Sequence, residues 1–206
     1  MTQLNRSLLE EALTDLGRRA ADEGAVIDLA VYGGSALILA SNFRAATADV
    51  DAVALVDQAT VDRISAAMAQ ERGWPSNWLN DGVRTYLSPN VDGISQHHAL
   101  FRAYPDETNP GLRVFVPSAE YMLALKLNAM RVDIDQGGKD AEDLRNLLAL
   151  CNIATPQQAL AFVAKFFPDY AQSSRQYARY AARFDDFFAR GVKTSGSPTY
   201  GTHPDR

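Results

Sequence analysis

One cysteine, Cys151, stands among the 206 residues, which excludes an intramolecular disulfide framework. No run approaches the ~18–20 consecutive apolar residues that a membrane-crossing helix needs. The opening stretch, MTQLNRSLLEEALTDL, reads as an amphipathic helix without the unbroken apolar centre of a signal peptide. These shortages predict a reducing, cytoplasmic setting, no membrane partner, and Cys151 as a packed structural thiol. Positive charge is also scarce. Twenty Lys and Arg against 25 Asp and Glu leave a net charge of −5, which argues against a protein that coats nucleic acid non-specifically, though a local basic patch stays compatible. Of the three histidines, His97 and His98 are neighbours that a strand would point to opposite faces. They make a poor chelating pair, and no Cys/His spacing fits a zinc site. His203 falls in a Gly/Ser/Thr/Pro-rich end and reads as solvated.

What is present is periodicity. Leu8, Leu9, Ala12, Leu13 and Leu16 recur at helical spacing over 6–22. A short apolar run, Val26 to Tyr32, predicts a buried strand ending at Gly33-Gly34, with a helix starting near Ser35. Further strands are expected near 49–56, 83–87, 99–103 and 112–116. Further helices are expected over 60–72 with Gly73 as the stop, from Pro117-Ser118 to about Arg131, over 139–150, from Pro156, and over 169–190. No internal repeat is visible. The order predicts an α+β fold, a mixed sheet core flanked by helices with a helical C-terminal part. The expected boundaries are 1–117 for the core, 118–190 for the helical part and 191–206 for a disordered tail.

Residues 31–56, VYGGSALILASNFRAATADVDAVALV, carry the chemistry. Adjacent glycines between a strand and a helix let the backbone turn tightly and approach a ligand. Ser35 would then sit at a helix start, where unpaired N–H groups and the positive dipole end favour phosphate. The plainer alternative is a strand-to-helix turn with a serine N-cap. Downstream, Asp49 and Asp51 would share one face of a strand, roughly 6.5–7 Å apart. Two carboxylates at the mouth of a buried strand repel each other and resist desolvation. A hard divalent cation relieves both problems, and Mg²⁺ (or Mn²⁺) suits one or two carboxylates plus substrate phosphates. The plainer alternative is two acids at a solvated strand end.

A strand, Gly34-Ser35, a short helix, and then Asp49-hydrophobic-Asp51 resembles the signature of the DNA polymerase β-like nucleotidyltransferase superfamily. Arg44 and Thr47, in FRAATADVD, resemble the basic and hydroxyl positions that precede the aspartate pair in AbiEii-like toxin nucleotidyltransferases. Lys126, Arg131, Lys139-Asp140 and Asp143-Leu144 are similar in order to the "K…R…KDxxDL" region of AbiEii and MenT-type toxins. The likeness covers about residues 25–150. It implies a nucleotidyltransferase-like core and an NTP substrate held at Gly33, Gly34, Ser35, Arg44, Thr47 and Lys126, with Asp49 and Asp51 on the metal. It also implies that Lys126 contacts nucleotide phosphates and that Asp143 or Asp140 is required for activity. The acceptor so implied is an RNA such as tRNA, or a protein, and the biology is that of a toxin with a cognate antitoxin.

Read without that likeness, Lys126 is the one charge in an apolar helix, where it either snorkels outward along its stem or faces a polar site. Asp140 and Asp143 could be acids favoured by a helix dipole. The likeness is also incomplete. Many superfamily members carry a third metal carboxylate on a later strand, yet LRVFVP offers Arg113 and Phe115, so coordination rests on the two aspartates alone or borrows another acid such as Asp81 of Asn80-Asp81. A catalytically inactive nucleotide- or partner-binding protein of the same fold is therefore an alternative, as is an antibiotic nucleotidyltransferase, although no acidic cluster specifies a polycationic drug. Arg175, Arg179 and Arg183, spaced by four, could form a basic stripe for RNA or a plain solvated face.

Overall fold

The computed structural model describes residues 3–130, 138–191, 194 and 196–201. A two-residue strand β1 (Leu4–Asn5) runs into helix α1 (Arg6–Asp22), whose first turn is capped by the Asn5 side chain accepting from the Leu8 N–H at 3.0 Å. Strand β2 (Ile27–Val31) leads directly into helix α2 (Gly33–Ala40). Next come β3 (Ala46–Thr47), β4 (Val50–Ala54), helix α3 (Gln58–Arg72), β5 (Leu79–Asn80), β6 (His98–Tyr104) and β7 (Leu112–Pro117). Helices α4 (Ala119–Ala129), α5 (Lys139–Leu150), α6 (Pro156–Val163) and α7 (Tyr177–Ala189) follow. This is a mixed α/β chain with seven helices among the described residues.

Contacts divide the chain into two compact units, one of Met1–Thr85, Gly93–Ser118 and Tyr200–Arg206, the other of Tyr86–Asp92 and Ala119–Thr199. In the first unit the sheet order is β5-β4-β2-β7-β6. Strand β2 is antiparallel to β4 (Val31 opposite Ala52) and parallel to β7 (Asp28 opposite Arg113), while β6 is antiparallel to β7 and β5 parallel to β4. The apolar stripe of α1, namely Leu9, Ala12, Leu13, Leu16 and Ala20, is fully buried against β6 and β7. Its polar side meets α3 through Arg19–Glu71 and through Arg72, which pairs with both Glu11 and Asp15. Burial works against ionisation of Asp15, but hydrogen bonds from Arg19, Arg18 and Arg72 outweigh it and hold the carboxyl below its ordinary range.

The second unit is built on α4, where Tyr121 to Leu125 and Leu127 are buried. Helix α6 opens with Pro156 and a capping box between Thr155 and Gln158. Tyr121 stacks on Phe166, and Tyr170 stacks on Tyr180 with ring centroids 3.9 Å apart. Cys151 is half-buried, and burial, aided by Glu120, pushes its thiol up to about 12.

Three expectations differ from what forms. The stretch expected as a strand near 83–87 is a short 3-10 helix, Gly82–Tyr86. Local bonds win there, with Asn80 Oδ1 accepting from the Gly82 N–H at 3.0 Å and the Asp81 carbonyl from the Arg84 N–H at 2.9 Å. The last helix begins at Tyr177, because Ser174 Oγ takes the Gln176 N–H into a turn. Arg175 thus precedes the helix, and the expected three-arginine stripe shrinks to Arg179 and Arg183. Third, within the stretch expected to be a disordered tail, Tyr200 bridges Ser41 and donates its hydroxyl to the Pro117 carbonyl at 2.7 Å. His203 and Arg131 lie outside the described residues.

Candidate functional site

Strand β2 delivers Tyr32, whose N–H donates to the Asp51 carbonyl at 2.8 Å. Helix α2 starts at Gly33, earlier than the sequence suggested, and Gly33 has a φ of 58°, a region glycine enters without penalty. A side chain there would also collide with the Asp51 carboxylate. At Gly34 an added Cβ would lie 2.7 Å from Thr47 Oγ1 and 3.2 Å from Arg44 Nη2. The backbone conformation requires glycine at Gly33, while at Gly34 an added Cβ would have to displace side-chain ends, a hydroxyl and a guanidinium. The Arg44 side chain is itself anchored, its Nε donating to the Ala46 carbonyl at 3.0 Å.

Ser35 is placed differently from the expected N-cap. Tyr32 is the N-cap residue, and the Ser35 side chain is fully buried. Its hydroxyl donates to the Asp49 carbonyl at 2.8 Å, so Ser35 fixes the backbone of the first aspartate. Asp49 lies in a bend just before β4, whereas Asp51 is the second residue of that strand. The first turn of α2 thus borders both aspartates, Gly33 against the Asp51 carboxylate and Ser35 on the Asp49 backbone. Gly33, Gly34, Ser35, Arg44, Thr47, Asp49 and Asp51 gather in one place within the first unit.

Lys126, Asp140 and Asp143 gather in the second unit. Lys126 Nζ donates to Asp140 Oδ1 at 2.7 Å and to Asp143 Oδ2 at 3.0 Å. The Lys126 side chain is 15% exposed and that of Asp143 only 1%. The lysine therefore faces a polar site and does not snorkel.

No family model, curated protein or solved structure matches this chain. Asp49 and Asp51 supply carboxylate oxygens, the donor type that Mg²⁺ or Mn²⁺ selects. Among the described residues no group of three or more His, Cys, Asp or Glu is arranged to hold a metal. Arg113, at the strand position where a third acid was sought, is paired with Asp28 across β2 and β7. Asp81, the other candidate, is paired with Arg84 at 3.2 Å.

Two neighbours were given no role by the sequence. Asn80 stands in register beside Asp51 on β5, and Tyr32 Oη is 3.0 Å from His98 Nε2 with the rings edge to face. Burial, with the His97 charge adding to it, lowers the His98 imidazole to about 4. Adjacent histidines signalled only a poor metal pair. Nothing local reveals that β6 places His98 beside the end of β2.

Proposed function

We propose that this chain is a divalent-metal-dependent nucleotidyltransferase with a DNA polymerase β-like core, transferring NMP from an NTP to a hydroxyl acceptor. The observation that carries the reading is the Asp51 carboxylate seated on Gly33 at the opening of α2, with Asp49 tied to the same turn by Ser35. Helix N-termini attract phosphate, and carboxylates beside bound phosphates call for a shared cation. Asp49 and Asp51 would hold Mg²⁺ or Mn²⁺, which supplies Lewis-acid charge to the phosphate oxygens. The backbone N–H groups of the Gly33-Gly34 turn bind phosphate oxygens, and Arg44 adds positive charge beside them. The acceptor oxygen attacks the α-phosphorus, its proton passing to an aspartate or to water, as the bond to the β-phosphate oxygen breaks and pyrophosphate leaves. A tRNA or another RNA, or a protein, is the acceptor that the toxin likeness favours, with an antitoxin as partner. Among the described residues no helix is long and apolar enough to cross a membrane.

Incubating the protein with each labelled NTP, Mg²⁺ and total RNA or protein tests this. Transfer to one acceptor class, abolished by Asp49→Asn and by Asp51→Asn, is the expected result. No transfer to any acceptor, combined with no NTP-dependent rise in melting temperature, would overturn it. The Arg113–Asp28 pair at the third strand position favours one second reading, a nucleotide- or partner-binding protein of the same fold. Cellular activity surviving the combined Asp49→Asn and Asp51→Asn change would select that reading.

A further inference from the structure

Strand β4 carries Asp51 between two unlike neighbours. On one side runs β2, whose end opens into the Gly33-Gly34 turn, and on the other runs β5, which ends at Asn80. Asn80 is in register with Asp51, and Leu79 with Val50. Val50 and Leu79 are buried while Asp51 and Asn80 are partly exposed. The carboxylate and the carboxamide therefore share one face, on strands about 4.8 Å apart. Strand β5 is firmly seated. The Trp78 carbonyl accepts from the Val50 N–H at 2.6 Å, and the buried Trp78 indole donates to the Ser65 carbonyl at 3.0 Å. Asn80 Oδ1 accepts from the Gly82 N–H at 3.0 Å. An N–H can donate only to the oxygen end, so this contact fixes which way the amide points. Nδ2 reaches the Asn77 carbonyl at 3.5 Å and carries a second hydrogen besides, while Oδ1 keeps a second lone pair.

A neutral head that both donates and accepts matches a hydroxyl, which does the same, whereas a phosphate calls for donors and positive charge. Phosphates bound on the glycine flank of Asp51 leave the Asn80 flank to the sugar side of the reacting centre. We infer that Asn80 is a substrate-contacting residue whose carboxamide binds a ribose hydroxyl, either the nucleotide's own or one at the end of an acceptor RNA. The inference rests on the nucleotidyltransferase reading and names the group that is read beside Asp51.

The test uses the full chain and Asn80→Ser, in which the shorter hydroxyl can still accept from the Gly82 N–H but is withdrawn from the ligand. Calorimetry with Mg²⁺ compares tripolyphosphate with ATP, GTP, CTP and UTP and with their 2′- and 3′-deoxy forms. Wild type is expected to bind its preferred ribonucleotide about fivefold more tightly than one deoxy form, the worth of one hydrogen bond. Asn80→Ser should lose that same factor for the ribonucleotide, bind the deoxy form as wild type does, and bind tripolyphosphate unchanged. Should the hydroxyl belong to the acceptor, NTP binding stays unchanged and the KM for total RNA in the transfer assay rises by that factor instead. Equal weakening of tripolyphosphate and nucleotide, with a lower melting temperature, would reduce Asn80 to a turn residue and overturn the inference. So would a variant that matches wild type in every arm. If Asp51→Asn abolishes nucleotide binding in either of those cases, the transferase reading stands without Asn80. No binding of any probe to wild type overturns both together.

Discussion

An alanine at position 33 would have to adopt a φ of 58° and set its methyl group against the Asp51 carboxylate. The left-handed conformation alone costs roughly 1–2 kcal/mol for a residue with a Cβ. Gly33→Ala is therefore expected to lower urea-unfolding stability by about 2 kcal/mol and to weaken Mg²⁺-dependent NTP binding, both read on the same sample. Unchanged binding would mean that the turn and Asp51 do not act together. His98 offers a second residue-level test through pH. Its folded value is about 4 against 6.5 when solvated, so between these limits the unfolded chain binds the extra proton. Stability falls as pH drops through that window, on the order of 2 kcal/mol in all. His98→Gln should flatten the decline in melting temperature between pH 6.5 and 4. The acids clasped by arginines, such as Asp15, lose their contribution only at lower pH. Neither His98 nor its partner Tyr32 was legible as part of the site, because their meeting is made by sheet pairing across 66 positions.

Helix α1 shows how closely two elements can be brought together. A methyl at Gly17 would sit 2.5 Å from the Tyr104 carbonyl oxygen, which belongs to β6. The helix would have to lift from the sheet on which Leu13 and Leu16 are buried. Gly17→Ala is expected to cost about 1–3 kcal/mol, the usual range for overpacking, measured as a lower urea midpoint at unchanged slope. A neutral result would show that α1 can shift freely. At this scale the sequence was readable wherever a pattern ran long enough. The stripe of α1, the capped start of α6 and the apolar runs of β2 and β7 announce themselves through spacing. Strands β1, β3 and β5 have two residues each, too short for alternation to register. Gly82–Tyr86 looked extended because its composition hides the Asn80 and Asp81 turn bonds. Asp49 and Asp51 were expected on one strand, but the chain bends at Asp49, and the Ser35 hydroxyl is what secures that bend.

Across the whole molecule, the alternation of helix and strand was legible and the sheet order β5-β4-β2-β7-β6 was not. Pairing between β2 and β7 joins residues 85 apart, such as Asp28 and Arg113, and no local pattern encodes that choice. The tail gives the test that belongs to this scale. Tyr200→Ala removes the hydroxyl bond to Pro117 and loosens the bridge to Ser41. A loss of about 1 kcal/mol is expected, along with faster amide hydrogen exchange in the last turn of α2. Unaltered exchange there would show that the tail merely rests on the surface.

The short helix α2 is gripped from far along the chain at both tips. Asp51 crowds its first residue, and the Gly201 N–H donates to the carbonyl of its last, Ala40, at 2.7 Å. Two turns of helix transmit a tug with little slack. A tag, crosslink or protease cut that strains the neighbourhood of residue 201 would accordingly register at the far tip, where the glycines meet the aspartate. Work on a tagged or trimmed version of this chain should establish first that the handle has not altered the turn at Gly33 beside Asp51.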